Sequence, residues 1–160
     1  MSLSARTTFG AIAAVAATAL AAALVSQHAF DMQPCPWCVL QRLIFVVIAL
    51  AALGGLAWQS ARGHRSAAVV LLLLCGAGIA AVLWQHFVAA VSNSCNLTLA
   101  DRILSATHLP GLLPDVFEAR ATCADAAVNL LGVPYEFWAL ALFVAIAVGA
   151  ATLLVSASSR

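Results

Sequence analysis

The sequence predicts an all-α membrane protein, a bundle of four transmembrane helices with both termini on the cytoplasmic side. The chain has 160 residues, of which 64% are hydrophobic and 8% are charged, and it contains no lysine. A soluble domain this short would need far more polar surface to stay in solution. Four stretches are also long and apolar enough to cross a hydrocarbon core of about 30 Å, which takes roughly 20 helical residues.

The four helices are expected within a single membrane domain that spans residues 1–160. We place them at approximately 9–29, 39–58, 67–90 and 137–156, with outer loops at 30–38 and 91–136 and an inner loop at 59–66. A cleaved signal peptide is an alternative for the alanine-rich first stretch. Its apolar run is longer than the hydrophobic region of a signal peptide, which usually has about 7–15 residues, so we expect an uncleaved helix. Cleavage would leave the other three helices unchanged.

Charge placement orients the bundle. Arginines without acidic neighbours lie at the two termini and in the short loop: Arg6, Arg62, Arg65 and Arg160. By the positive-inside tendency these residues face the cytoplasm. All the acidic residues fall on the other side: Asp31, Asp101, Asp115, Glu118, Asp125 and Glu136. The two outer loops are therefore expected on the extracytoplasmic face.

The long outer loop contains apolar residues at helical spacing: Leu97, Ala100, Ile103 and Leu104. Thr98 and Asp101 fit a capping pattern at the start of this segment. We predict a short amphipathic helix that lies along the membrane surface with Leu97 and Leu104 against lipid. The alternative is a helix packed within the loop that has no membrane role.

The motif CPWCVLQR opens the second helix and places Cys35 and Cys38 three residues apart. Thiols at this spacing close a small, reducible disulfide, and a helix that begins at Cys38 would favour the thiolate of that residue through its N-terminal dipole. Arg42 follows four residues later, so one helix face carries both a sulfur and a positive charge. An arginine in an apolar context is costly to desolvate, so we expect it to stabilise an anion. Snorkelling to the head groups is its alternative role.

The chain has five cysteines. Cys75 lies in the middle of the third helix among apolar residues and is expected to be an inert buried thiol. The other four fall on the outer side, where disulfides persist, and form two natural pairs, Cys35–Cys38 and Cys95–Cys123. Taken alone, Cys95–Cys123 would be interpreted as a structural staple. A four-cysteine zinc site is disfavoured because the second pair is widely spaced and the compartment is oxidising, so no metal is expected.

Together these features resemble the DsbB family of disulfide bond formation proteins. The resemblance rests on CPWCVLQR, the four-helix topology and the Cys95/Cys123 pair in the second outer loop. The stretch LPGLLPDVFEARATC, which ends at Cys123, and the segment from Pro134 to Trp138 are also similar to that family. The resemblance covers essentially the whole chain, and the constellation is specific where CxxC alone would be weak.

The resemblance implies an inner-membrane enzyme that reoxidises DsbA, a soluble periplasmic oxidase of thioredoxin fold, and passes the electrons to a membrane quinone (ubiquinone or menaquinone). By position, Cys95 would be the loop cysteine that the partner's thiolate attacks, with Cys123 as its mate. Cys38 would face the quinone, with Cys35 as the exchanging thiol. Arg42 matches the quinone-contacting arginine of the family, and His86 resembles a family histidine near the quinone. An interfacial histidine with a satisfied hydrogen bond is the alternative for His86.

This relay predicts a transient bridge from Cys35 to Cys95 or to Cys123. The expected partners are the DsbA-like oxidase, the quinone and the lipid bilayer, with no nucleic acid. A vitamin K epoxide reductase-like enzyme is one rival, but there the CxxC follows the loop pair, whereas here it precedes the second helix. The rival from another class is a membrane scaffold whose loop is merely stapled by disulfides. Cys38→Ser separates the two classes, since a scaffold would keep its activity.

Overall fold

The computed structural model describes residues 5–58, 60–91 and 98–158. Within these ranges the chain forms long helices joined by short elements. In chain order the elements are α1 (Ala5–Phe30), α2 (Pro36–Ala57), α3 (Ala61–Trp84, continued by a π-helical turn over Gln85–Ala89), α4 (Leu99–Thr107), α5 (Leu109–Leu112), α6 (Pro114–Phe117), β1 (Asn129–Leu130), β2 (Val133–Pro134) and α7 (Tyr135–Ser158). The two strands pair antiparallel as a small ribbon just before α7.

The helices α1, α2, α3 and α7 are each long and apolar enough to cross a membrane. At about 1.5 Å per residue, a helix of some 20 residues matches the thickness of the hydrocarbon core. The predicted all-α membrane fold with four long apolar helices is therefore confirmed. The helix that carries the CxxC motif, α2, is the most enclosed of the four by its neighbours.

The four helices form a closed ring in which α1 packs against α2 and α7, and α3 also packs against α2 and α7. In the core, the rings of Phe45 and Phe143 stack with their centroids 4.2 Å apart. Gly78 of α3 lies against the same ring, because a Cβ atom placed there would be 2.6 Å from Phe143. A small residue at this position lets α3 and α7 approach closely, as in other membrane bundles.

The connection between α2 and α3 is shorter than the loop expected at 59–66. The hydroxyl of Ser60 accepts a hydrogen bond from the backbone N–H of Gly63 at 3.0 Å and caps α3, which begins at Ala61. Arg62 and Arg65 therefore lie in the first turns of α3, both exposed. The hydropathy pattern marks where the apolar segment begins, whereas the cap decides where the helix begins.

Helix α4 begins at a capping box. The Thr98 hydroxyl accepts from the backbone N–H of Asp101 at 3.2 Å, and the Asp101 carboxylate accepts from the backbone N–H of Thr98 at 2.8 Å. The helix ends at His108, whose left-handed backbone (φ 56°) turns the chain into α5. Both α4 and α6 then pack on α2, so this segment lies over the first turns of α2.

The prediction that Leu104 faces lipid is wrong. Its side chain is 3% exposed and packs with Val39 of α2 and Phe117 of α6. The reason is that α4 turns its apolar stripe toward the bundle, where burial of a leucine side chain contributes about 1.5–3 kcal/mol. Ile103, at 39% exposed, is on the outward side of the helix. Leu97, the other residue expected against lipid, lies outside the described residues.

Candidate redox site

The first cysteine of the motif caps α2. The sulfur of Cys35 accepts a hydrogen bond from the backbone N–H of Cys38 at 3.3 Å, and Pro36 occupies the first position of the helix. The expectation that the helix begins at Cys38 is therefore wrong. Because the fixed φ of proline suits the first helical turn, the start moves to Pro36 and Cys38 becomes part of that turn. Its thiol still lies at the positive end of the helix dipole.

The two thiols of the motif are in direct contact, with 2.8 Å between their sulfur atoms. Cys35 is fully buried and Cys38 is partly buried. A disulfide has an S–S bond length of about 2.05 Å, so its formation needs only a small further approach of the two sulfur atoms. The pair is thus placed to switch between dithiol and disulfide without rearrangement of the helix.

Cys123 is brought to the same place by the loop that follows α6. The backbone N–H groups of Arg120 and Ala121 both donate to the carbonyl oxygen of Pro34, at 2.9 and 3.2 Å. This docks the loop on the residue immediately before Cys35. The side chains of Cys123 and Cys35 are then hydrogen-bonded to each other. Cys35 therefore lies between two other sulfurs.

Because of this contact, the thiols of Cys123 and Cys35 differ in pKa. Hydrogen bonding with Cys35 lowers the pKa of the Cys123 thiol below its usual value, and the backbone N–H of Trp37 adds to the effect. The pKa of Cys35 is raised by its hydrogen bonds with Cys123 and Cys38 and by burial. Since the thiolate is the nucleophile in disulfide exchange, Cys123 is the better attacking group and Cys35 the group attacked.

The other two cysteines are Cys95 and Cys75. Cys95, the expected mate of Cys123, lies outside the described residues, so its assigned role remains a prediction. Cys75 is fully buried in α3 within the main hydrophobic cluster of the bundle. Such a setting is typical of a structural thiol.

Arg42 is buried at one turn beyond Cys38 and is 5% exposed. Its guanidinium donates to the side-chain oxygen of Gln27 at 2.6 Å and to the backbone oxygens of Val116 at 3.0 Å and Ala23 at 3.2 Å. All three acceptors are neutral, and no carboxylate pairs with this arginine in the part of the chain that the structure describes. Its positive charge is therefore held in place without being cancelled.

Two buried glutamines extend the polar site toward α3. The side-chain amide of Gln41 donates to the Gln85 oxygen at 2.7 Å, and the Gln85 amide donates to the sulfur of Cys38 at 3.3 Å. The first bond fixes which end of the Gln85 amide faces the sulfur. A thiolate at Cys38 thus has a positioned donor beside it.

His86 follows Gln85 in the π-helical turn. Its Nδ1 atom is 2.7 Å from a carboxylate oxygen of Glu136, at the start of α7. The imidazole is 31% exposed and Glu136 only 4%. The ring centroids of Phe87 and Phe137 each lie 4.8 Å from the centroid of the imidazole.

These groups surround a cavity of about 680 Å³ at the cysteine end of the bundle, the end where α2 begins. Its walls are mostly apolar and come from α1, α2 and α7, with Phe45 at one side. Its polar lining includes Cys38, Gln41, Arg42, Gln85 and Glu136. A pocket of this size with a few polar groups is typical of sites for small organic molecules. Cys38 and Arg42 line the cavity directly, whereas His86 approaches it through Glu136.

Sequence reasoning did not identify Gln27, Gln85 or Glu136. A signal was available for each, since a polar side chain inside or at the end of an apolar helix is costly unless it has a partner. What the sequence does not contain is the pairing, because the three residues come from α1, the end of α3 and α7.

Comparisons with known proteins agree with this geometry. The family described as "DsbB: Disulfide bond formation protein DsbB" matches residues 5–153. A "Disulfide bond formation protein B" from Aromatoleum aromaticum is 35% identical over 149 residues, which cover 91% of this chain and 89% of the relative. Proteins of the same name are 33% identical in Herminiimonas arsenicoxydans (86% of this chain, 87% of the relative) and 34% identical in Pseudomonas syringae (79% and 75%).

The match to the family extends over the four long helices, the CxxC motif and the loop that carries Cys123. Proteins of this name act in disulfide bond formation, which agrees with the contact between three thiols at one end of the bundle. The chain therefore belongs to the DsbB family of disulfide bond formation proteins and is a multi-pass membrane thiol oxidoreductase.

Proposed function

We propose that this protein is a thiol:quinone oxidoreductase of the bacterial inner membrane that reoxidises a DsbA-type dithiol oxidase in the periplasm. One observation carries the proposal: the Cys35 thiol is hydrogen-bonded both to Cys123 and to Cys38, and Cys38 lines the cavity. Such a series of thiols is suited to pass a disulfide from the membrane to a soluble partner.

The partner's thiolate attacks Cys95 of a Cys95–Cys123 disulfide, which forms a mixed disulfide and releases the Cys123 thiolate. The partner's second thiol then displaces Cys95, and the partner leaves oxidised. Cys123 attacks Cys35 of the Cys35–Cys38 disulfide, forming a Cys35–Cys123 bridge and releasing the thiolate of Cys38. Cys95 resolves this bridge, which restores the loop disulfide and leaves Cys35 and Cys38 reduced. Each step is a thiolate–disulfide exchange, and the contact between Cys123 and Cys35 supports the third one.

The final electron acceptor must drive the sequence forward. A DsbA-type disulfide has a reduction potential near −120 mV, so its reoxidation needs a strong oxidant. A quinone supplies that chemistry when bound, taking two electrons and two protons as it becomes a quinol. The cavity fits such a molecule because apolar walls suit the ring, and the donors on Arg42 and Gln85 suit its carbonyl oxygens.

Charge placement supports the orientation. The exposed arginines Arg62 and Arg65 lie at the start of α3, at the end of the bundle opposite the motif. From the positive-inside tendency we infer that this end faces the cytoplasm and that the cysteines face the periplasm. The thiols would then face the compartment in which disulfides persist.

A direct test mixes the purified protein in detergent with reduced DsbA-type oxidase and a soluble ubiquinone or menaquinone analogue, and follows the quinone absorbance. We expect quinone reduction in step with oxidation of the partner. Cys38→Ser should abolish it and Cys75→Ser should leave it unchanged. Absence of quinone reduction by the unmodified protein, or full activity of Cys38→Ser, would contradict the proposal and favour a scaffold.

A further inference from the structure

Glu136 is buried in a way that the thiol relay does not explain. Its side chain is 4% exposed, and one oxygen is bound to His86 at 2.7 Å. The other oxygen, Oε2, is buried without a hydrogen-bond partner among the described residues. A buried carboxylate is costly unless its oxygens are satisfied, so an unsatisfied one on a cavity wall indicates a group that acts on what the cavity holds.

His86 connects this carboxyl group to the outside of the bundle. The imidazole is 31% exposed and lies in the last turn of the third membrane helix, near the cysteine end. It is not itself part of the cavity wall, whereas Glu136 is. The pair thus extends from the surface to the cavity through one hydrogen bond. Histidine is suited to this position because its imidazole has two ring nitrogens, one of which can accept a proton while the other donates one.

We propose that Glu136 and His86 deliver protons to the quinone, an inference that rests on the proposed function. Oxidation of the Cys35–Cys38 dithiol by a quinone moves two electrons to the ring and requires two protons at its oxygens. The Glu136 carboxyl group donates a proton to a ring oxygen and regains one from the His86 imidazolium, which in turn takes up a proton from the outer aqueous phase. A second turnover of the pair supplies the second proton. The two protons of the thiols leave to the same aqueous phase, so the sum is dithiol plus quinone to disulfide plus quinol.

Other groups at the cavity are less suited to this role. The Arg42 guanidinium is held by three hydrogen-bond acceptors and serves as a fixed positive charge. Cys38 is the electron donor, and the cavity-lining residues of α1 carry no titratable side chain. The remaining titratable groups that line the cavity are Asp31, Arg120, Asp125 and Tyr135. Both aspartates are exposed, and each has a polar neighbour for its carboxylate.

The test uses Glu136→Gln, which keeps the shape and a hydrogen bond to His86 but carries no exchangeable carboxyl proton. The matched control is Glu118→Gln, the same chemical change at a half-exposed acid that does not line the cavity. Each protein is reduced in advance and mixed once with a soluble ubiquinone analogue, so that exchange with the partner is bypassed. We expect the single-turnover rate of Glu136→Gln to fall about 100-fold or more, while Glu118→Gln stays within twofold of the unmodified protein.

Two further measurements separate proton delivery from a structural ion pair. Quinone affinity, followed by quenching of tryptophan fluorescence, should change less than twofold in Glu136→Gln. Infrared difference spectra on quinone reduction should show a carboxyl signal in the unmodified protein and in Glu118→Gln that is absent from Glu136→Gln. A single-turnover rate within twofold of normal, or a carboxyl signal that survives the substitution, would overturn the inference. If the unmodified protein itself reduces no quinone, the proposed function fails instead. If Glu136→Gln does not fold, His86→Gln replaces it as the test variant and should slow the same single turnover.

Discussion

The thiols of Cys35 and Cys123 are hydrogen-bonded to each other although they belong to different loops of the chain. The contact depends on backbone geometry, since the N–H groups of Arg120 and Ala121 hold the second loop on the carbonyl of Pro34. A disulfide exchange between the two loops therefore needs no large movement of Cys123. In the proposed relay, this contact sets the direction in which a disulfide passes between the two loops.

The Cys35–Cys123 bridge should be trapped when its neighbours are removed. In the double variant Cys38→Ser, Cys95→Ser, neither Cys35 nor Cys123 retains its usual mate, and their contact favours a disulfide between them. Mass spectrometry of peptides from the oxidised variant should show this link as the main product. The same double variant with Cys75→Ser is the control and should give the same product. Recovery of two free thiols after mild oxidation would contradict the relay order.

The thiols of Cys123 and Cys35 should differ in the pH at which they react. The pKa of Cys123 is lowered and that of Cys35 is raised, and a thiolate forms as the pH rises through the pKa. In the reduced protein, alkylation of Cys123 should therefore begin at lower pH than that of an ordinary thiol, and alkylation of Cys35 at higher pH. Iodoacetamide labelling from pH 5 to 10, with mass spectrometry of each cysteine, measures this. Equal midpoints for the two cysteines would show that the contact does not persist in solution.

Gln85 should control the reactivity of Cys38. Its amide donates to the Cys38 sulfur and is oriented by Gln41. A hydrogen bond to a charged group contributes about 1.5–3 kcal/mol, so Gln85→Leu should slow alkylation of Cys38 about tenfold or more. Gln41→Leu should slow it less, because the Gln85 amide remains but is free to rotate. The labelling rate of the distant Cys75 is the internal control. An unchanged alkylation rate of Cys38 in Gln85→Leu would contradict the role of the Gln85 amide as a donor to the Cys38 sulfur.

Close packing of α3 on α7 should make Gly78 intolerant of a side chain. A Cβ atom at this position would lie 2.6 Å from the Phe143 ring, and overpacking of this kind costs about 1–3 kcal/mol. Gly78→Ala should therefore lower the Tm of the protein in detergent. Gly76→Ala is the matched control, since a Cβ atom there meets nothing within 4 Å and alanine favours the helix. Equal Tm values for the two variants would contradict the packing described here.

The sequence predicts the helices and the thiol motif because both are local patterns. Hydropathy marks each long helix, and the i to i+4 spacing places Cys38 and Arg42 on one face. The start of α2 is missed by a few residues because the fixed backbone of Pro36 overrides the hydropathy boundary. The pairing of His86 with Glu136 is not predictable in this way. It joins two helices that are distant in the chain, and only their packing determines which polar groups meet.

Arg42 should be required both for quinone binding and for the position of the loop that contains α6. Its guanidinium holds the Val116 carbonyl of the loop and the Gln27 side chain of α1 while its charge faces the cavity. Arg42→Met removes both functions and should raise the quinone KM at least tenfold, in line with about 1.5–3 kcal/mol for a charge-assisted hydrogen bond. Arg42→Lys keeps the charge but lacks the planar fork, so the KM should rise less.

Both Arg42 variants should loosen the loop that contains α6. Loss of the link to Val116 in both should increase hydrogen exchange of the backbone amides in α6, because the loop is then held by fewer bonds. Arg65→Met, which removes an exposed arginine at the opposite end of the bundle, is the control and should change neither quantity. An unchanged KM in Arg42→Met would show that the charge faces the cavity without serving the quinone. Unchanged exchange in α6 would show that the loop is held by its other contacts alone.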